Sequence, residues 1–271
     1  MTKFLASVAL LAVLLGGIAR ADEPAAKPTD PSRGKSTAEA SSDASSDPAA
    51  ILDTAIKAQG GEEKLAKVVG LYFKMKGTSY DGDAKAPFAY EMYIAPDKIR
   101  TVSLDEDGQV SDIEVVNGKQ GWDKDDEDEA SGLSAQSIAA EHDVIYENFA
   151  TMLVPLKAKV YRLTSIPDTE VAGHTAVGIL VRRDKHPDLK MYFDKDTHLL
   201  AKLQCKIKDA DEDTATEHDQ EIIYSDYREV QGTKQPFKFE QLWDGTKVAD
   251  CVILAQKLFE KQLDAKLFQK P

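Results

Sequence analysis

The sequence predicts a mainly β fold: one wide antiparallel sheet of about ten or eleven strands, strongly curved, with helices covering its concave face. Three observations carry this. From Leu71 onward apolar residues recur with period two, the signature of strands with one greasy face. The segments between them are short and turn-like, as in Asp81-Gly82-Asp83, Asn117-Gly118 and Asp244-Gly245, so neighbouring strands run antiparallel. Helical spacing appears only near the start, in one long stretch at 134–153 and in a short piece around Gln262 to Leu267. A sheet this wide must curl, and its apolar face needs a cover.

The chain has 271 residues and divides into three parts. Residues 1–21 carry a basic start, an apolar run from Phe4 to Ile18 and the small-x-small pattern Ala19-Arg20-Ala21. This is the pattern of a cleaved secretory signal peptide, and the run is short for a spanning helix of ~20 residues. An exported, periplasmic protein cut after Ala21 is therefore expected. Residues 22–47 are rich in Ala, Ser, Pro, Lys and Asp without an aromatic residue, the composition of a disordered linker. Residues 48–271 form a single domain.

Within it, Asp47-Pro48 opens a helix, with Asp47 as cap and Pro48 in the first turn. Ile51, Leu52, Ala55 and Ile56 give its apolar side, Gly60-Gly61 ends it, and Glu62 to Val68 resumes as a short helix. Strands follow around Leu71–Met75, Phe88–Ile94, Ile99–Leu104 and Val110–Val116, with a hairpin that delivers Trp122. Ser134 to Leu153 places Ile138, His142, Ile145, Tyr146, Phe149 and Leu153 near one helix face, and Pro155 stops it. Further strands are read at 177–182, 189–194, 199–207, 221–230, 235–243 and 247–256.

The formal net charge is −13. A chain this acidic repels phosphate backbones and anionic lipid headgroups, so no nucleic-acid partner is expected and a charged membrane surface is a poor one. Cys205 and Cys251 are the only cysteines. They fall three strands apart in a meander, on the order of 14 Å across the sheet, too far for a disulfide, and are predicted to be free. No metal ligand set is expected. Asp123 to Ala130 reads as a solvated acidic loop without the spaced oxygen ligands of a calcium loop. Asp194, Asp196 and His198 alternate, but their segment reads as a hairpin turn. His142, on the apolar side of its helix, is expected to be a hydrogen-bonded structural residue.

No GxSxG elbow, P-loop or GxGxxG occurs, and no catalytic residue or cofactor is predicted. The concave face is expected to present Leu71, Phe73, Met75, Tyr90, Met92, Trp122, Met191, Phe193, Leu203 and Phe239 to a hydrophobic ligand. A cell-envelope module that binds a protein partner through exposed strand edges is the alternative; a carboxylate-based hydrolase ranks last.

Four segments carry a resemblance. Residues 55–68, AIKAQGGEEKLAKV, 93–100, YIAPDKIR, 116–122, VNGKQGW, and 191–200, MYFDKDTHLL, resemble the helix pair, strand-Pro-turn-strand step and two hairpins of the LolA/LolB/LppX-like superfamily of outer-membrane lipoprotein-sorting proteins. The resemblance implies an unclosed half-barrel with helices as a lid over an apolar cavity. It also implies a periplasmic, non-catalytic, monomeric carrier of a lipid acyl chain or lipoprotein. In that superfamily's lipoprotein carrier an Arg precedes the turn Pro and hydrogen-bonds the lid. Here that place is Ala95, and Arg100 lies beyond the Pro.

Overall fold

The computed structural model describes residues 47–125, 129–208 and 216–271. The expected signal peptide and all but Asp47 of the expected linker lie outside these residues. Helix α1 (Pro48–Gln59) starts as predicted, with the Asp47 carboxylate accepting from the Ala49 N–H. Helix α2 is a single turn (Glu62–Leu65).

A first meander then runs through β1 (Gly70–Asp81), β2 (Ala84–Ala95), β3 (Lys98–Leu104), β4 (Val110–Asn117), β5 (Gln120–Asp125) and the two-residue β6 (Ser131–Gly132). Helix α3 (Ala135–Ala150) follows, capped by Ser134, whose hydroxyl accepts from the Ser137 N–H. A second meander runs through β7 (Arg162–Val171), β8 (His174–Arg182), β9 (Leu189–Asp194), β10 (Leu200–Lys208), β11 (Glu217–Val230), β12 (Thr233–Trp243) and β13 (Thr246–Phe259).

The two meanders join in one antiparallel sheet of thirteen strands, in the order β6-β5-β4-β3-β2-β1-β13-β12-β11-β10-β9-β8-β7. The seam is the long β1–β13 pair, from Gly70 opposite Phe259 to Ser79 opposite Ala249. β6 and β7 are the two edges, and the sheet does not close. The chain must therefore travel from one edge to the other between β6 and β7. It does so across the sheet face, and α3 is that crossing.

Curvature follows from the core. One contiguous cluster takes in α1 (Leu52, Ile56), α3 (Val144, Ile145) and residues from nearly every strand, from Val116 in β4 to Ile179 in β8. A flat sheet of this size would be about 58 Å wide at ~4.8 Å per strand. A 16-residue helix is only ~24 Å long. The face bearing α1 and α3 is thus the inside of an arch, the curled sheet with a helical cover that the periodicity predicts.

Four expectations need correction. Among the described residues the sheet has thirteen strands rather than ten or eleven, because β6 and β7 add to the count. The C-terminal helix is a single 3-10 turn (Ala265–Phe268). Asp123 and Asp125 belong to strand β5 rather than to a solvated loop, while residues 126–128 of that expected loop lie outside the described residues; so do 209–215 of the acidic loop expected at 209–219, whose last residues Glu217–Asp219 open β11. In β10, Ala201 does not join the inner row. A register shift between Leu200 and Lys202 reverses the alternation there, and Ala201 packs with Ile166, Tyr192 and Ile223 on the outer face.

Candidate functional site

The middle of the concave face is apolar because β1, β2, β12 and β13 send every second side chain inward. Phe73, Met75, Met92, Phe239 and Ile253 are buried there. Over them lie α1, through Gln59, and α3, through Val144, Glu147, Asn148 and the following Thr151 and Met152. Between roof and sheet is a partly open cavity of about 70 Å³, closed on its far side by Leu200, Ile222, Tyr224 and Tyr227. The volume is below the ~300–1,000 Å³ of sites that enclose a drug-sized ligand.

The ten predicted ligand-facing residues separate into groups. Phe73, Met75, Met92 and Phe239 line the cavity. Leu71, Met191, Phe193 and Leu203 belong to the same core cluster, fully packed and away from the opening. Tyr90 borders that cluster, stacked on Phe88 with ring centroids 5.1 Å apart. Trp122 sits elsewhere. It pairs with Val115 across β4 and β5, and both pack with Ala95 and Phe268 on the outer face. The C-terminal turn covers that face, so in this wing the apolar row of β4 and β5 is the outer one and the inner row is acidic; period two cannot say which face is inner.

Polar groups missed by the sequence reading ring the cavity. Glu147 points inward from α3 although only 8 % exposed. Its Oε1 accepts from the Cys205 Sγ–H at 3.3 Å and its Oε2 from Gln220 Nε2 at 3.2 Å. Gln241 Nε2 in turn donates to Gln220 Oε1 at 2.6 Å. Burial pushes the Glu147 carboxyl up to about 7, although the Cys205 and Gln220 hydrogen bonds pull it down. Burial and the neighbouring Glu147 push the Cys205 thiol up as well. Gln59 Nε2 is spent on the Thr151 carbonyl at 3.1 Å. Its Oε1, like Gln256 Oε1, is buried without a partner among the described residues. The site is thus a greasy slot with two unused amide acceptors at its edge.

Toward β3–β5 the same face turns acidic. Glu114 and Asp112 of β4 lie opposite Asp123 and Asp125 of β5, and Glu141 of α3 closes over Glu114. Gly121 permits this approach: a Cβ there would stand 2.8 Å from Leu133 Cδ1 and 3.0 Å from Ile138 Cγ1. Burial raises the pKa of Asp112, Glu114, Asp123 and Glu141.

Cys205 and Cys251 lie buried as free thiols on β10 and β13. Two local expectations hold. His142 Nε2 is hydrogen-bonded to the Gly118 carbonyl at 2.8 Å. Asp194 Oδ1 accepts from the N–H groups of Asp196 and Thr197, which makes the segment a turn. Arg100 reaches the Leu267 carbonyl at 3.4 Å, under the C-terminal turn and not at the roof.

No protein-family model matches the sequence, and no curated protein matches it. Solved structures do. The chain is similar to a LolA superfamily protein from Nitrosomonas europaea at 10 % identity, TM-score 0.53, covering 82 % of this chain and 97 % of that one. It is similar to an outer membrane lipoprotein-sorting protein domain from Vibrio parahaemolyticus at 8 % identity, TM-score 0.52, covering 82 % and 97 %. A DUF1329 family protein from Desulfovibrio piger matches at 12 % identity, TM-score 0.54, covering 82 % and 98 %. The fold is therefore the LolA-like curved sheet. No helix among the described residues is long and apolar enough to cross a membrane.

Proposed function

We propose that this protein is an exported, non-catalytic carrier that holds a hydrophobic ligand, a lipid or lipoprotein acyl chain, between α3 and the concave face. The observation that carries the reading is the apolar cavity beneath the roof, floored by Phe73, Met75, Met92 and Phe239. The LolA-like fold supports it, since one structural neighbour is described as a lipoprotein-sorting domain. The signal-peptide pattern of residues 1–21 supports export. Because the cavity is small, an acyl chain enters only as α3 lifts from the sheet; the missing Arg at position 95 leaves that roof without the latch of the sorting carrier.

The test is titration of delipidated protein with a fluorescent fatty acid, together with native mass spectrometry of material purified under mild conditions. Met92→Trp, which fills the cavity, is expected to weaken binding at least tenfold. Trp122→Ala, on the outer face, is expected to leave it unchanged. A clean mass and no saturable fatty-acid binding by the parent protein would refute the carrier reading.

A second reading has one observation in its favour. Among the described residues β7 is an edge strand of the sheet, and the outward backbone groups at its ends, beyond Ser165 and Pro167, suit pairing with a strand of a protein partner. Enrichment of one envelope protein in a pull-down, lost when β7 carries an added proline, would favour that module.

A further inference from the structure

The acidic wing of the concave face is built unlike the rest of the arch. Register sets two rows of side chains across it: Ser103, Asp112 and Asp125 in one, Thr101, Glu114 and Asp123 in the next. One carboxylate oxygen from each of Asp112, Asp123 and Asp125 lies within 4.8 Å of the other two. Opposed oxygens on a single calcium ion stand about 4.6–5.2 Å apart, twice the ~2.3–2.6 Å ligand distance. The three oxygens are therefore spaced for one shared ion.

Two further observations point to a missing positive charge. Ser103, Asp112, Glu114 and Glu141 are 8, 7, 3 and 2 % exposed. Yet Ser103 Oγ, Asp112 Oδ2, Glu114 Oε2 and Glu141 Oε2 are buried with no donor group facing them among the described residues; Asp112 meets Asp123 and Glu114 meets Glu141, carboxyl against carboxyl. Buried polar atoms are normally satisfied, and an orphan asks for an explanation. Moreover, among the described residues the charged side chains that bear on these carboxyls are other carboxyls. Burying like charges without compensation is among the costliest arrangements in a protein.

We propose that Asp112, Asp123 and Asp125 bind a hard divalent cation of the calcium class, with Glu114 and Glu141 supplying further negative charge behind it. The donors are all carboxylate oxygens, without thiolate or imidazole, which suits calcium or magnesium and not zinc or copper. Asp125 is exposed, so the ion has a route from solvent and room to keep water ligands. The ion ties β4 to β5 beneath the middle of α3, where Glu141 stands one turn before the Val144 that lines the apolar cavity.

The experiment uses the full chain, stripped with chelator and dialysed at pH 7.5 in physiological salt. Calcium chloride is titrated calorimetrically and the melting temperature is followed in parallel. One saturable site is expected, with the melting temperature raised by about 5–10 °C at a hundredfold excess over Kd. Asp112→Asn and Asp125→Asn abolish that rise. In chelator the Asp112→Asn protein melts no lower than the parent, since it removes a buried carboxyl that faces only other carboxyls. Should Asp112→Asn not fold, Asp125→Asn decides, being at an exposed position. The double variant Asp81→Asn/Asp83→Asn, in the distant β1–β2 turn, retains the rise. No saturable heat and no rise well above the ~1 mM of weak extracellular sites would overturn the proposal, as would a rise that survives Asp112→Asn and Asp125→Asn.

Discussion

Glu147→Gln is a sharp probe of how the roof is held. In the folded protein the Glu147 carboxyl is pushed up from 4.5 to about 7, chiefly by burial. The folded state thus keeps a proton that the unfolded chain has released. Stability from this group is fully present below pH ~4.5 and is lost as pH rises through about 7, at ~1.4 kcal/mol per pH unit. The shift of about 2.5 units corresponds to ~3 kcal/mol. Gln carries no charge at any pH. It keeps an acceptor for the Cys205 Sγ–H or Gln220 Nε2 and loses about 1 kcal/mol for the other, imperfectly replaced bond. The variant is therefore expected to be ~1 kcal/mol less stable than the parent at pH 4.5, equal to it near pH ~5 and ~2 kcal/mol more stable at pH 8. Urea unfolding followed by tryptophan fluorescence across this range measures the difference, with an unchanged m-value as control. A stability difference that stays constant from pH 4.5 to 8 would refute the argument that α3 docks against the cost of a buried charge.

Three other outcomes are expected. Gly77→Ala destabilises by at least ~1–3 kcal/mol, because its Cβ would stand 2.1 Å from the Asp250 carbonyl oxygen and 2.4 Å from Phe88 Cζ; Gly132→Ala, with nothing within 4 Å, stays within ~0.5 kcal/mol of the parent in the same denaturant titration. Phe268→Ala costs ~3–5 kcal/mol and shifts tryptophan emission to the red, because Phe268 is 1 % exposed in the cluster that holds Trp122. Cys205 and Cys251 resist a thiol reagent at pH 8 in the native protein and both react in concentrated guanidinium, since burial raises both thiols, Cys251 to about 12; rapid labelling of the native chain would count against their placement.

What could be read from the chain was whatever rests on local chemistry. The Asp47-Pro48 start of α1, the Asp194 turn and the Asn117-Gly118 hairpin each need only a few neighbouring residues to be specified. Period two located most strands for the same reason. It failed where alternation is interrupted or ambiguous: at the register shift beside Ala201, and at Trp122, where the returning C-terminus covers the outer face. β7, RLTSIPDTEV, escaped because it is polar and contains Pro167. Those features mark an edge strand, so the signal was present but reads as loop when a core strand is sought. Glu141 and Glu147 were hidden by their charge. The helix pattern weights apolar positions, whereas α3 buries both carboxylates along with Val144 and Ile145.

That burial defines α3 physically. Apolar contacts of Val144, Ile145 and Ala150 draw the helix onto the sheet, each large aliphatic side chain contributing ~1.5–3 kcal/mol. Glu141 near the middle of α3 and Glu147 near its C-terminal end resist the same docking once ionised, because each gives up water for surroundings that lower its acidity. The roof is therefore held by a smaller margin than its apolar contacts alone provide, and the margin narrows as the carboxyls lose their protons. The connection is also long: α3 crosses from one sheet edge to the other, its backbone leaving the sheet at β6 and rejoining it at β7, with the His142–Gly118 and Glu147–Cys205/Gln220 hydrogen bonds as its polar ties in between. Under the carrier proposal, a roof that lifts for an acyl chain and then settles again draws on this combination of apolar attraction and a buried electrostatic cost.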